Sequence, residues 1–413
     1  MISGDHIRKT IADLLPETQQ LLVDLIRFPS TPGNEHEAMC FLHERFGSLQ
    51  VDLEKVQLSD ELKNDPDYSD PVPDIRYDGR FNLRIARKGT GGGKTLLFNA
   101  HVDVVPPSEG MQNAYEARVE DGTVYARGAC DDKGQVASIF LILKTLETLG
   151  VQPAGDVIAH LVVEEENGGN GSLAMVRRGE QADGCIVMES SGGKLLTSIR
   201  GAVWFRLVLF GKAGHSGQAA QTRSALLMAR DAIGVLERYH AQLLENSRGI
   251  PLFNEHPNPM PITFGKMQAG NWPAAAPSRA TLEGVLGLLP NKTRDEVCDE
   301  MRQALLDSGL TTNDFELTFM YRHDSSVLDP SHELPTTILD AANAVDTPLS
   351  VAAMTASCDA WNYNNQLNIP TVVYGPGTLA VAHSKDECIA MADIAKAAEV
   401  LIHTILNYCK ATS

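Results

Sequence analysis

Apolar residues recur at helical spacing through ADLLPETQQLLVDLIRF, residues 12–28, and the run stops before a proline, which predicts a first helix. A second helix is expected from Asn34 to Phe46, and LQVDLEKVQL then alternates like a strand. Residues 59–79 are acidic and proline-rich and read as an exposed loop. Further on, LLFNA (96–100), VIAHLVV (157–163) and CIVM (185–188) are short apolar runs of strand length, and Asp131–Leu149 has a helical pattern. Strands alternating with helices predict an α/β unit around a mostly parallel, buried sheet.

The pattern changes after about residue 196. VWFRLVLF (203–210) alternates, a long helix is expected over 220–243, and a proline-rich stretch fills 251–277. A strand (281–288), a helix (293–307) and a strand (314–321) follow. This is a β-α-β-β-α-β order, the size of a small two-layer, ferredoxin-like α+β domain. A helix near 335–345, a strand at IPTVVY (369–374) and a last helix over 387–407 resume the α/β alternation. The expected division is therefore 1–197 and 326–413 for one discontinuous domain, with 198–325 inserted into it.

At 413 residues the chain is long enough for two cores. Its 43% hydrophobic and 21% charged residues are those of a globular protein. The net charge of −18 argues against nucleic acid and anionic membranes as partners. Seven scattered cysteines without a CxxC fit a reduced compartment. No run reaches the roughly 18 apolar residues of a membrane span, so a cytoplasmic location is expected. GTGGGKT (89–95) has a phosphate-loop look, but the first glycine of that spacing falls on Lys88 and the stretch precedes a strand, so a turn is expected there.

The chemistry gathers where apolar runs end. NAHVDVVPP puts His101 and Asp103 just past a strand, and RGACDDKG puts Asp131 and Asp132 at a helix start. VVEEENGGNG sets Glu164, Glu165 and Glu166 past a third apolar run, CIVMESSG sets Glu189 past a fourth, and YGPGTLAVAHSKDE brings in His383. Taken singly, each suits a solvated strand end or the first turn of a helix. Together they put two imidazoles and several carboxylates at the carboxyl edge of one sheet, where open α/β sheets carry their sites. Such a cluster repels itself unless cations hold it. His with Asp and Glu, and no thiolate, suits zinc, cobalt or manganese. The surplus of carboxylates suits two ions about 3.5–4 Å apart sharing one of them. Asp103 can orient His101, and of two adjacent glutamates one can ligate while the other takes a proton from water. The residues thus point to metal-assisted hydrolysis without naming the bond.

These segments, with IVMESS and GKAGHSG, resemble the M20 metallopeptidases and deacylases in order and spacing across essentially the whole chain. That group includes acetylornithine deacetylase, succinyl-diaminopimelate desuccinylase, aminoacylases and glutamate carboxypeptidase. The resemblance implies a zinc-peptidase-like catalytic domain interrupted by a dimerisation domain. It implies one ion held by His101, Asp131 and Glu189 and a second by Asp131, Glu166 and His383. Zinc is the first expectation for both ions, with cobalt or manganese as alternatives. It further implies Glu165 as general base, Asp103 behind His101, and His215 of GKAGHSG stabilising the oxyanion, often from the partner subunit of a homodimer. The expected activity is hydrolysis of the amide of an N-acylated amino acid or related N-acyl amine. Dipeptidase or carboxypeptidase activity on the same residues is one alternative, and a non-catalytic binding protein on this fold is another. Two positions depart from the family. EGVLGLLP has Gly287 where several members carry arginine, and SCDAW has Trp361 where members often do. Arg200, Arg279 and Arg322 remain candidates for a substrate carboxylate. Trp361 is a candidate stacking surface, and the amides of NYNNQ and of NW (271–272) are further polar candidates.

Overall fold

The computed structural model describes residues 3–410. The first helix spans Gly4–Ile26, starting well before the expected position because Ser3 caps it, its hydroxyl accepting the His6 N–H at 3.3 Å. Its apolar stripe (Ile7, Ile11, Leu21, Leu22, Leu25) is buried in the main core. Helices Lys133–Thr148 and Met391–Tyr408 pack there with it.

A nine-stranded mixed sheet carries that core. At its centre Leu96–His101 runs parallel to both Val157–Val162 and Gly184–Val187, and Thr371–Val373 continues the parallel block. These central strands are buried along their whole length, which is why they read as unbroken apolar runs. Outside that parallel block the sheet is mixed, with Ser350–Met354 parallel to Lys194–Ile199 and the other flanking pairs antiparallel. Phe81–Arg87 pairs antiparallel with Val157–Val162 and with Asp52–Gln57, and Thr371–Val373 meets Lys194–Ile199 antiparallel. The eight residues 88–95 join Phe81–Arg87 to Leu96–His101 on the two sides of Val157–Val162 and are too few for the helical crossover that two parallel strands of one sheet require. They form a turn, as expected for GTGGGKT, with the Thr90 N–H donating to Pro153 O at 2.9 Å.

Between Gly201 and His323 the chain builds a second sheet with its own core. Gly201–Phe210 and Arg279–Leu288 lie at its centre, Ile262–Ala269 and Phe315–His323 at its edges, and every pairing is antiparallel. In chain order the strands stand 4-1-3-2, the split β-α-β arrangement. Helices Ala225–Asn246 and Arg294–Asp307 cover one face. The edge strand Ile262–Ala269 lies inside the proline-rich stretch and is mostly exposed, so its sequence lacks a clear period.

The acidic segment 59–79 is not the free loop its composition suggests. Ser69, Ile75 and Tyr77 are buried in it. Asp67 accepts from Arg177 at 2.8 Å and from Arg294 at 2.6 Å, and the Asp70 N–H donates to Met320 O at 2.7 Å. The segment ties the large sheet to the edge of the small one.

Candidate metal centre

Three central strands deliver the site. His101 is the last residue of its strand, Glu164 follows Val157–Val162 by one residue, and Glu189 follows Gly184–Val187 by one. Asp131 and Asp132 precede the helix Lys133–Thr148, and the His101 N–H donates to Asp132 Oδ2 at 3.0 Å, tying helix start to strand end. The chain turns sharply at Glu164 (φ 62°), and His383 sits on an irregular loop, also at positive φ (58°).

The three adjacent glutamates separate here. Glu164 turns inward and is fully buried. Its carboxylate pairs with Arg80 and accepts from Tyr77 Oη and Asn170 Nδ2, each at 2.9 Å. Glu165 and Glu166 face the centre. Their N–H groups donate to the two oxygens of Asp103 at 3.0 and 2.9 Å. Asp103 also stands behind His101, whose Nδ1 lies 3.0 Å from Asp103 O and 3.4 Å from Asp103 Oδ1. Its side chain therefore serves the glutamate loop as much as the histidine, a double duty that the H-x-D spacing does not reveal.

All five residues expected to ligate meet. His101 Nε2 lies 3.0 Å from Asp131 Oδ1 and 3.9 Å from Glu189 Oε1. His383 Nε2 lies 3.2 Å from the other Asp131 oxygen and 3.0 Å from Glu166 Oε1. Ligand atoms of His101, Asp131, Asp132 and Glu189 fall within 4.8 Å of one another, as do those of Asp131, Glu166 and His383. Asp131 belongs to both groups. Asp132 is an addition to the expected ligand set; the cluster is visible only once strand and helix meet.

The electrostatics explain what such a pocket lacks. Burial pushes the Glu165 carboxyl well above the ordinary range, with Asp359 and Glu189 adding to the effect. Burial does the same to Glu189, helped by Asp131, and to Asp132, helped by Glu189. Glu166 rises to about 7 through burial and the Asp131 charge. Burial also opposes ionisation of Asp131, but hydrogen bonds with His101 and His383 prevail and hold it low. Hydrogen bonds to Asp131 and Glu166 in turn raise His383 to about 10. The carboxylates outnumber their cations, and Asp132 Oδ1 is buried without a hydrogen-bond partner. Nitrogen and oxygen donors in two groups sharing one carboxylate fit a pair of divalent ions.

Other expected residues lie elsewhere. His215 is exposed on a short strand, Gly214–His215, paired with Ala275–Ala276, and its Nδ1 accepts the Gly217 N–H at 3.0 Å. It belongs to neither ligand group. Trp361 is no open stacking surface: it is 4% exposed, stacked on His323 at 4.2 Å, with the Arg294 guanidinium 5.1 Å from its ring. Arg322 donates to Pro66 O at 2.6 Å, Arg279 lies over the Phe210 ring, and Arg200 donates to Thr355 O. Gly287 is filled from beside it, since an added Cβ would stand 2.3 Å from Arg200 Nη1.

The model of peptidase family M20/M25/M40 matches residues 97–407. A Bacillus subtilis N-formyl-4-amino-5-aminomethyl-2-methylpyrimidine deformylase is 25% identical over 368 residues, covering 81% of this chain and 84% of the relative. A probable succinyl-diaminopimelate desuccinylase of Staphylococcus aureus is 21% identical over 420 residues, covering 95% of this chain and 98% of the relative. In fold, a dipeptidase of Saccharomyces cerevisiae gives a TM-score of 0.81 at 14% identity, with 98% of each chain covered. Human carnosine dipeptidase 1 gives 0.78 at 14%, with 98% of this chain and all of that one covered. The match runs from the strand that ends in His101 through most of the last helix, and the chain accordingly belongs to peptidase family M20/M25/M40, whose amide-hydrolysing chemistry it shares.

Proposed function

We propose that this protein removes an acyl group from an N-acylated amino acid or related N-acyl amine, using two divalent ions. In this reading His101, Asp131 and Glu189 hold one ion, and Asp131, Glu166 and His383 the other. Zinc is the expected metal in both places. The observation that carries the reading is the position of Asp131, one oxygen toward His101 and the other toward His383. Residues 1–197 and 326–413 would form the catalytic domain and 198–325 the inserted one, working in a cytoplasmic homodimer.

When bound, the ions supply positive charge that polarises the amide carbonyl and acidifies an attacking water. The protein supplies the rest. Glu165 stands in neither ligand group, is partly exposed to solvent, and has its backbone pinned by Asp103; with the charge of bound ions offsetting the burial and acidic neighbours that raise it, its carboxylate would be free to take the water proton. It returns that proton to the leaving nitrogen. His215 of the partner subunit would donate to the oxyanion. Likeness to the deformylases, together with the engagement of Arg279 with the Phe210 ring and of Arg322 with Pro66 O, favours an N-acyl amine over an N-acyl amino acid or a peptide held by its α-carboxylate.

A panel of N-formyl and N-acyl amines, N-acyl amino acids and dipeptides, assayed with zinc, cobalt or manganese, tests the proposal. Acyl release should exceed dipeptide cleavage; the opposite order would establish the dipeptidase reading. Glu165→Gln should lower kcat by about 10²–10⁴-fold at unchanged metal content. A Glu165→Gln enzyme as fast as wild type would remove the general base from the scheme.

A further inference from the structure

His383 has the least support of the five residues read as ligands. Its side chain is 51% exposed, and it lies on an irregular loop at positive φ. Something must hold it opposite Asp131. The His383 carbonyl accepts a hydrogen bond from Ser108 Oγ at 2.7 Å. Ser108 Oγ in turn accepts from Arg127 Nη2 at 2.7 Å. The other arm of Arg127 pairs with Glu387, and both side chains are almost wholly buried (1% and 0% exposed). Glu387 Oε1 then accepts the N–H groups of Cys130 and Asp131, each at 3.3 Å. The path starts at the backbone of His383 and ends at the backbone of Asp131.

We propose that Ser108, Arg127 and Glu387 form a relay that sets the distance between His383 and Asp131, and so tunes the ion held by Asp131, Glu166 and His383 more than the ion held by His101, Asp131 and Glu189. This rests on the two-ion reading above. The three residues touch no ligand atom of the centre; they act through backbone groups and are positioning residues. Their order in the path separates their effects. Ser108 grips only the His383 end. Glu387 grips the Asp131 end, which both ions share. A buried, paired charge in the middle makes the relay stiff, because moving either end strains an ion pair that has no water to replace it.

Zinc titration of the metal-free protein by calorimetry, with Ser108→Ala and Ser108→Thr beside wild type, tests the relay. Ser108→Ala removes one hydroxyl from a half-exposed loop and takes that acceptor from Arg127 Nη2, so it should stay folded but melt a few degrees below wild type. It should bind one ion with the wild-type constant and the other about ten- to a hundredfold more weakly, the range for outer-shell partners of metal ligands. Ser108→Thr, which keeps the hydroxyl, should restore the second constant. In the metal-free state, Ser108→Ala should also exchange the amide hydrogens of residues 381–386 faster. Two wild-type constants in Ser108→Ala, or equal weakening of both, would overturn the relay while leaving the two-ion reading intact. A wild type that binds fewer than two ions would overturn that reading, and the relay with it.

Discussion

Three adjacent glutamates have three environments, and the difference lies in which donors reach each carboxylate. Glu164 is an anchor: Arg80 lies between it and Glu35, and both carboxylates are fully buried. Arg80→Met would leave two buried acids without their shared cation, and the cost of breaking such a pair is about 3–5 kcal/mol. Urea unfolding should show that loss. Glu164→Gln/Arg80→Met, which removes one of the stranded charges, should recover part of it. A single variant with an unchanged midpoint would mean that the ion pair contributes nothing net.

At the scale of elements, helix Asn170–Arg177 holds the glutamate loop against the sheet. Its second residue, Gly171, meets the end of the strand so closely that a Cβ would stand 2.1 Å from Val163 O. Gly171→Ala should therefore push Val163 and the following glutamates, destabilising the fold by about 1–3 kcal/mol and lowering kcat. Urea midpoints and initial rates measure the two effects, and a wild-type result in both would show that the close approach is not needed. Beyond the same helix, Glu180 joins strands Phe81–Arg87 and Val157–Val162. Its carboxylate lies 3.1 Å from Arg84 Nη2 and 3.2 Å from His160 Nε2. Burial opposes its charge, yet hydrogen bonds with His160 and Arg84 hold it at about 2, below the ordinary 4.5. A depressed carboxyl stabilises the fold fully above its unfolded value and loses that contribution as pH falls. Wild type and Glu180→Gln should thus differ most above about pH 4.5 and converge towards pH 2. Unfolding curves across that range would show the convergence; a constant difference would rule out linkage through Glu180.

For the whole molecule, the question is what completes the site. His215 stands on a two-stranded pairing of its own, Gly214–His215 with Ala275–Ala276, and in neither ligand group. If it acts across a homodimer, His215→Ala and Glu165→Gln are complementary defects. A mixed dimer regains one intact site, so an equal, fully exchanged mixture should show about a quarter of wild-type activity. Exchange followed by rate measurement decides this; a mixture no faster than its parents would place His215 outside the partner's site. The net charge of −18 bears on the same scale, since two bound divalent ions would offset part of a negative charge crowded at one sheet edge.

Much of this is legible along the chain. Buried parallel strands announce themselves as unbroken apolar runs, so the sheet's centre and the acidic and histidine-bearing segments that end at it are readable from the sequence; the choice of five residues among them rests on the family resemblance, and the fold shows that these five converge. Edge strands are harder. Ile262–Ala269 is exposed on most of its length and carries little apolar period to detect. The inward turn of Glu164, the place of Asp132 in the cluster and the engagement of Arg200, Arg279 and Arg322 were decided only by tertiary structure. So was the tie between Arg127 and Glu387, 260 positions apart. The physical reason is range. Periodicity and motif spacing report what a residue does to its neighbours in sequence, whereas the partner of a buried charge is selected by the fold that brings distant segments together.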